Sequence, residues 1–464
     1  MLVVVLLGQF MAVLDTTIVN VAAPTIRTDL HASGPGLALS VSGYTLSYAV
    51  LLILGARLGD RCGHSRMFCT GLLAFTATSL LCGVAPTTAS LVAFRVAQGA
   101  AAALMVPQIM SLIQRTSTGA ARTRALSLFA ATVAGAGILG QIAGGLLVSA
   151  DVAGTGWRPV FLVNVPVGMG LVVLARRALP RDGGDPTRRL DPAGSVTFGV
   201  AILLLVLPLV LGDEAGWPTW CLVSLAGSAV AAGVFLAVER RVETHGGSPI
   251  LSRRALRAPG LAIGAVALLF AMITYSSQLF TLALHLQSGL GESAARAGLE
   301  FAPSAIGFAT TSLTWQRLPA RWHPRVAPTG LFLAVLGYAG SVAVLHDGSP
   351  AGLSLMAVLL VLGAALGLGV SPLVGMTLAR VPVEDAADAS AVVVTVFQLG
   401  QVVGVATLGS LYLSLADVPG AVVSAHAYSW TATGLAIAAI TAGGCATLLA
   451  ARRSDPGHQV VNRP

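Results

Sequence analysis

Lysine is absent from the 464 residues, and charge of either sign is scarce at 10%. Soluble domains carry roughly 25% charged residues, so this chain cannot clothe a water-facing surface. Hydrophobic residues make up 55% of it, and the mean hydropathy is +0.83. A soluble enzyme, a disordered chain and a secreted disulfide scaffold are thereby excluded. Cysteine is also sparse. Cys62, Cys69, Cys82, Cys221 and Cys445 are odd in number and lack metal or disulfide spacing, so they read as small apolar fillers. No Walker A sequence, HExxH, GxSxG or clustered Cys/His set occurs, and nothing supports ATP hydrolysis, metal chemistry or proteolysis.

What is abundant is apolar runs. A bilayer crossing needs roughly 20 apolar residues in a helix. Fourteen stretches qualify, at 2–24, 37–56, 67–86, 90–113, 125–149, 158–175, 192–211, 219–238, 259–286, 296–315, 326–345, 350–373, 389–414 and 428–451. The first has no basic leader and is interrupted by Asp15, so it is expected to be a span and not a cleaved signal. The expected fold class is an all-α integral membrane protein with 14 transmembrane helices.

The 27 basic residues, all arginine, orient the chain. Loops after even-numbered spans and the C-terminal tail hold 23 of them, loops after odd-numbered spans hold Arg27, Arg158 and Arg296, and Arg95 lies within a span. The positive-inside rule then places both termini in the cytoplasm. Short arginine clusters between apolar runs describe topology, so no nucleic-acid partner is expected.

An internal repeat appears at an offset of 260 residues. Arg57-Leu58-x-x-Arg61 recurs as Arg317-Leu318-x-x-Arg321, and Leu139-Gly140-Gln141-x-x-Gly144 recurs as Leu399-Gly400-Gln401-x-x-Gly404. Transporters often contain such repeated units. Residues 1–190 are expected to form an N-terminal six-helix half and 259–464 a C-terminal one. Residues 191–258 would hold an inserted helix pair and cytoplasmic linkers, with the linkers at 176–194 and 239–258.

Few polar residues interrupt the spans. Asp15 sits in the first, where a carboxylate is costly and calls for a polar cavity or a partner. Either it carries a proton or it is a static hydrogen-bonded anchor. Arg95 and Gln98 share one face of span 4 with Gly99 and Ala102. Arginine does not readily lose its proton, so Arg95 would tune a neighbouring acid, or else snorkel to the headgroups. Span 5 carries Gly137, Gly140, Gly144 and Gly145, which allow close helix packing or bending. The loop after span 2 holds Gly59, Asp60, Arg61, Gly63 and Arg66, with Asp60 expected at the N-terminus of span 3. Thr274, Gln278, Thr281 and His285 form a stripe on span 9, and Thr395, Gln398 and Gln401 a shorter one on span 13. Such stripes line a cavity or glue helices. Glu300 is a second buried-acid candidate, and His285 is placed near the outer end.

Together these segments resemble the fourteen-span drug:proton antiporters of the major facilitator superfamily, the EmrB/QacA type. Leu14-Asp15-x-Thr17-Ile18-Val19-Asn20-Val21-Ala22-Ala23-Pro24 is similar to that family's LDxTIVNVALP, with Ala23 for Leu. Arg95, Gln98, Gly99 and Ala103 match RxxQGxxxA, and Trp157-Arg158-x-x-Phe161-x-x-Asn164-x-Pro166-x-Gly168 matches WRxxFxxNxPxG. The loop is similar to GxLxDRxGRR, with Ala56 for Gly and His64 for Arg. The span 5 run is similar to GxxxGPxxGG, with Gln141 at the proline position.

The resemblance implies a major facilitator fold working by alternating access, with no enzymatic activity. It implies export of hydrophobic or amphipathic molecules such as drugs or antibiotics, driven by a proton gradient and without a cofactor. Proton coupling would involve Asp15 and Arg95. The substrate path would involve Gln98, Thr274, Gln278, Thr281, Thr395, Gln398 and Gln401. Gly59, Asp60, Arg61, Gly63 and Arg66 would form a cytoplasmic gate, and Gly137, Gly140, Gly144 and Gly145 a packing hinge. The expected partners are a lipophilic substrate, protons and the lipid bilayer, with the chain a monomer in the cell (inner) membrane. The alternatives are a facilitator or symporter of a small metabolite on this fold, and a non-transporting receptor or accessory subunit.

Overall fold

The structure, a computed structural model, describes residues 1–117, 119–180, 182–185, 192–212, 216–244, 258–348, 352–381, 386–418 and 420–454. Arg181, Arg188, Arg189, Arg253, Arg254, Arg257 and Arg463, which count among the loop and tail arginines, lie outside these residues, as do 186–191 of the first expected linker and 245–257 of the second.

Among the described residues every regular element is helical. That follows from the solvent. In hydrocarbon each backbone N–H and C=O must be satisfied within the chain, and a helix does so segment by segment. We label the helices α1 (Leu2–Asp29), α2 (Gly34–Cys62), α3 (His64–Gly83), α4 (Thr88–Thr116), α5 (Gly119–Ser149), α6 (Pro159–Ala178, in two abutting segments), α7 (Pro192–Leu211) and α8 (Thr219–Thr244). They continue as α9 (Leu261–Gly289), α10 (Ala294–Thr314), α11 (His323–Leu345) and α12 (Gly352–Leu378). The last two are α13 (Ala386–Gly404, continued by Val405–Gly409 and Ser410–Leu415) and α14 (Ala421–Ser454). The last turn of α9, His285–Gly289, and Val405–Gly409 within α13 are π-helical.

Local chemistry sets several of the ends. Ser33 accepts from the Gly36 N–H at 3.3 Å ahead of α2, and Thr87 and Ser90 make a reciprocal capping box at α4. Proline lies inside α1 (Pro24), α4 (Pro107) and α10 (Pro303), as membrane helices tolerate.

Eleven helices among the described residues are long and apolar enough to cross a membrane. The three apolar runs outside that set fall on α5, α7 and α10. The apolar stretch in α5 is Gly135–Ser149 and in α7 Ala193–Leu209, while α10 carries Arg296 and Glu300. Several helices outrun their apolar stretches. α2 continues six residues past 56, α6 reaches Ala178 and α8 reaches Thr244. The expected linkers are thus shorter than 176–194 and 239–258, because polar helix needs no membrane once its carbonyls are bonded within the helix.

The offset of 260 recurs in the helix bounds. Shifting Gly34–Cys62 gives 294–322, which α10 and the two 3-10 turns Trp315–Arg317 and Ala320–Trp322 occupy. Shifting α1 gives 262–289, and α9 covers 261–289. Packing repeats likewise. α2 lies on α4 as α10 lies on α12, α1 on α5 as α9 on α13, and α3 on α6 as α11 on α14. Contacts between the two sets include α5 against α10 and α2 against α13, images of one another under the same shift, and α1 against α9. α7 and α8 pack on each other, with α7 against α2.

The N-terminus, the α2–α3 turn and the exit of α6 gather at one end of the bundle, here the near end. There the Asp185 N–H donates to Asp60 O at 2.9 Å. The α1–α2, α5–α6 and α9–α10 turns gather at the far end, where the Trp157 indole donates to Asp29 at 2.8 Å and the Ala295 N–H to Ser149 Oγ at 2.8 Å.

Candidate functional site

Asp15 lies midway along α1 with no exposed surface, and Arg95 of α4 is equally sealed. Leaving either charge alone there would cost several kcal/mol. They form an ion pair, from Arg95 Nη1 to Asp15 Oδ2. The other carboxylate oxygen, Oδ1, accepts from Gln98 Nε2 at 2.9 Å and from Asn164 Nδ2 at 3.0 Å. Three helices thus meet on one carboxylate. The i, i+3 spacing of Arg95 and Gln98 lets them act as a unit, and Arg95 Nη1 also donates to Gln98 Oε1 at 2.8 Å.

The surroundings hold this arrangement in place. Arg95 Nε donates to the Ser40 carbonyl at 3.1 Å, and its guanidinium lies 4.7 Å from the centre of the Tyr44 ring and 5.5 Å from that of Phe161. Cation–π contacts of this kind strengthen when desolvated. Gly99 makes the approach possible, because a Cβ there would run into the Tyr44 carbonyl. Asn164 is itself oriented by donating to Ser79 Oγ at 3.0 Å, and Ser79 donates to the Phe161 carbonyl at 2.9 Å. Arg95 Nη2 is buried without a hydrogen-bond partner among the described residues. Sequence reasoning found Asp15, Arg95 and Gln98. It assigned no role to Asn164, Ser79, Ser40 or Tyr44, although Asn164 stood inside a quoted motif.

The gate residues occupy the α2–α3 turn. Gly63 takes φ +95°, which only glycine adopts freely, and the chain reverses there. Asp60 is not at the N-terminus of α3, as expected above. It belongs to the last turn of α2, which runs on to Cys62, and its carboxylate lies 3.5 Å from His64 Nε2. The anion at the α3 N-terminus is Asp182, beyond α6, accepting from the His64 N–H at 2.6 Å and the Ser65 N–H at 3.0 Å. Gly59 lies against Gln108, whose Oε1 is 2.7 Å from His64 Nδ1. Arg61 and Arg66 are exposed.

On α5, Gly140 abuts Thr17 and Gly144 abuts the Ile18 carbonyl, so both serve the α1 contact. Gly145 faces Ala294 of α10, and Gly137 stands near the Tyr275 hydroxyl. Gln141 is 3% exposed, and neither amide atom has a partner among the described residues.

The structure does not join the second-half polar residues to Asp15. Gln278 Nε2 donates to Tyr428 Oη at 3.1 Å, and Tyr428 to Ser341 Oγ at 3.1 Å. His285, in the last turn of α9, is fully buried, with Nδ1 2.7 Å from Ser424 Oγ and its ring stacked on Tyr428. Thr274 and Thr281 bond back to carbonyls of their own helix. On α13, Gln401 Nε2 donates to Gln398 Oε1 at 2.8 Å, and buried Thr395 Oγ1 has no partner among the described residues. Glu300 is 3% exposed, 3.7 Å from Arg296 Nε. Ser424 and Tyr412 line a far-end cleft of about 360 Å³ that also touches Arg27, His31 and Asp417. Among the described residues no group of three or more His, Cys, Asp or Glu is arranged to hold a metal.

Comparison with known proteins agrees with this architecture. Residues 5–405 match the model of the Major Facilitator Superfamily. The chain is 40% identical over 418 residues to the "Probable actinorhodin transporter" of Streptomyces coelicolor, covering 89% of this chain and 72% of that one. It is 35% identical over 409 residues to the cephamycin export protein of Amycolatopsis lactamdurans, covering 86% and 82%. It is 31% identical over 428 residues to the tetracenomycin C resistance and export protein of Streptomyces glaucescens, covering 89% and 76%. Among solved structures, a bacterial homolog of the human lysosomal transporter Spinster, inward-facing and occupied, superposes with a TM-score of 0.69 at 16% identity, covering 97% of this chain and 96% of that one. That likeness speaks to the fold. The buried carboxylate is thus set in an all-helical, multi-pass membrane bundle, and the chain is a transporter belonging to the Major Facilitator Superfamily.

Proposed function

We propose that this chain exports hydrophobic or amphipathic small molecules, such as antibiotics, in exchange for protons. The observation that carries the reading is the sealed Asp15 carboxylate, bound at once by Arg95, Gln98 and Asn164. A static anchor for α1 needs no charge. An ion pair in a dry interior is poorly repaid compared with apolar packing, and its retention favours a group that changes protonation during a cycle. Protonating Asp15 removes the anion, leaves Arg95 Nη1 bonded to Gln98 alone and weakens the tie between α1 and α4. Relatives whose names record export of, or resistance to, antibiotics support the substrate class.

The architecture we propose is the fourteen-span EmrB/QacA type, with an N-terminal six-helix half (1–190), an inserted pair and linkers (191–258) and a C-terminal half (259–464). The near end faces the cytoplasm, both termini are inside, and the monomer resides in the cell (inner) membrane. Alternating access then rocks one half against the other. Gly140 and Gly144, at the α1 contact, Gly145, at the α10 contact, and Gly137, beside Tyr275 of α9, form the packing hinge. Gly59, Asp60, Arg61, Gly63 and Arg66 form the cytoplasmic gate. Gln98, Thr274, Gln278, Thr281, Thr395, Gln398 and Gln401 border the substrate path. The proton gradient supplies the energy, and no cofactor takes part.

Proteoliposomes with an imposed pH gradient test the reading. Substrate flux is expected to follow the gradient and to stop when a protonophore collapses it. Flux indifferent to the gradient points to a facilitator on the same fold.

A further inference from the structure

The near end carries a groove apart from the buried Asp15 cluster. It has a volume of about 400 Å³ and lies between the first turns of α3 and the last turns of α6. Its walls are apolar at Cys69, Leu73, Ala175 and Leu179, and two arginines, Arg66 of α3 and Arg176 of α6, stand at it. Both arginines are exposed, and no carboxylate among the described residues pairs with either. Asp182 also borders the groove, but its two oxygens are taken up by the His64 and Ser65 amides.

The groove opens on the outside of the bundle. Leu73 and Leu80 continue away from it along α3, Val173 and Met169 along α6, and each is at least 44% exposed. A lipid acyl chain running along this strip would bring its headgroup to the two guanidiniums. We propose that the groove binds an anionic glycerophospholipid, the phosphate on Arg66 and Arg176 and the glycerol and first methylenes against Leu73, Ala175 and Leu179. Basic pockets between membrane helices are suited to such headgroups, and arginine's planar fork suits the phosphate oxygens. A free phosphate would gain the charges but would leave the apolar walls wet. The site does not depend on what the protein transports or on whether protons drive it.

Binding here bears on the gate. Arg66 sits two residues after His64, and Asp182 ties the exit of α6 to the same turn. A lipid bridging Arg66 and Arg176 would clamp α3 to α6 beside the Gly63 reversal.

Native mass spectrometry of the full chain in detergent tests this, with phosphatidylglycerol and phosphatidylcholine of matched acyl chains as probes. The wild type is expected to retain one phosphatidylglycerol in preference to phosphatidylcholine. Arg66→Gln with Arg176→Gln is expected to weaken that retention roughly 30-fold, two arginine–phosphate contacts being lost. Leu73→Trp, which fills the groove and keeps both charges, is expected to weaken it too, and Arg66→Lys with Arg176→Lys to preserve most of it. Equal retention of the two lipids, or phosphatidylglycerol retention unaffected by the glutamine pair, overturns the proposal. Displacement by millimolar inorganic phosphate with Leu73→Trp neutral overturns it as well, in favour of a simple anion site.

Discussion

Gln141 and Gln401 stand 260 residues apart at matching places in the repeat, yet among the described residues only Gln401 has a partner for its amide. Gln401 donates to Gln398, whereas both amide atoms of Gln141 are buried where α5 meets α10, without a partner among the described residues. An unsatisfied buried polar group costs about 1–3 kcal/mol. That cost applies while α5 and α10 are in contact and lapses once the contact opens and water enters. Gln141 therefore biases this contact toward opening. Gln141→Leu, close in volume, is expected to stabilise the closed contact by about 1–3 kcal/mol. Spin labels on α5 and α10 report it as a larger closed population, with slower turnover.

Arg95 and Asp15 are expected to depend on each other. Arg95→Leu leaves a carboxylate sealed without its counter-charge and is expected to cost about 3–5 kcal/mol of stability. Adding Asp15→Asn to Arg95→Leu is expected to recover much of that loss. Thermal unfolding of the two single variants and the double variant measures the coupling.

Asn164 is expected to matter more for transport than its amide suggests. Asn164→Ala removes one of two donors to Asp15 Oδ1, a hydrogen bond to a charged group worth about 1.5–3 kcal/mol. Gln98 remains, so the variant is expected to fold and transport with a reduced rate, less impaired than Asp15→Asn. Initial rates in everted vesicles compare them.

Asp182 caps α3 from outside the repeat. Asp182→Ala is expected to lose about 1 kcal/mol and to expose the 182–185 segment to protease. Asp182→Asn, which keeps an acceptor oxygen, is expected to lose less.

Glu292, in the α9–α10 turn, is held above the ordinary carboxylate range by burial, with the nearby Arg296 charge offsetting part of the effect. A carboxyl group whose pKa is raised in the folded state favours that state when protonated. Its stabilisation is therefore present at acid pH and lost as pH rises above about 4.5, the ordinary glutamate value. The melting temperature of wild type relative to Glu292→Gln is expected to fall across that range.

Scarcity of charge made the centre of the site legible in the sequence. With so few charges inside apolar runs, Asp15 and Arg95 were conspicuous, and the i, i+3 spacing brought Gln98 with them. Asn164 was not legible as a ligand, because an asparagine near the start of a span also suits an interface. Asp182 could not be read at all, since no periodicity ties a linker residue to a turn 118 positions earlier. The stripe on α9 was visible, but which neighbour it faced depended on packing. Tyr428 and Ser424, the partners of Gln278 and His285, lie on α14 and share no local pattern with α9. The repeat showed in two short motifs, while its full extent appeared only in the helix bounds.

The central claim is that Asp15 exchanges a proton in step with substrate. The most direct measurement is proton release on substrate binding, read by a pH indicator in weakly buffered detergent solution, for wild type and for Asp15→Asn. The account predicts that substrate displaces protons from the wild type and none from Asp15→Asn, with both proteins still binding substrate. Equal proton release from the two, or none from the wild type at any pH where it binds, would contradict it.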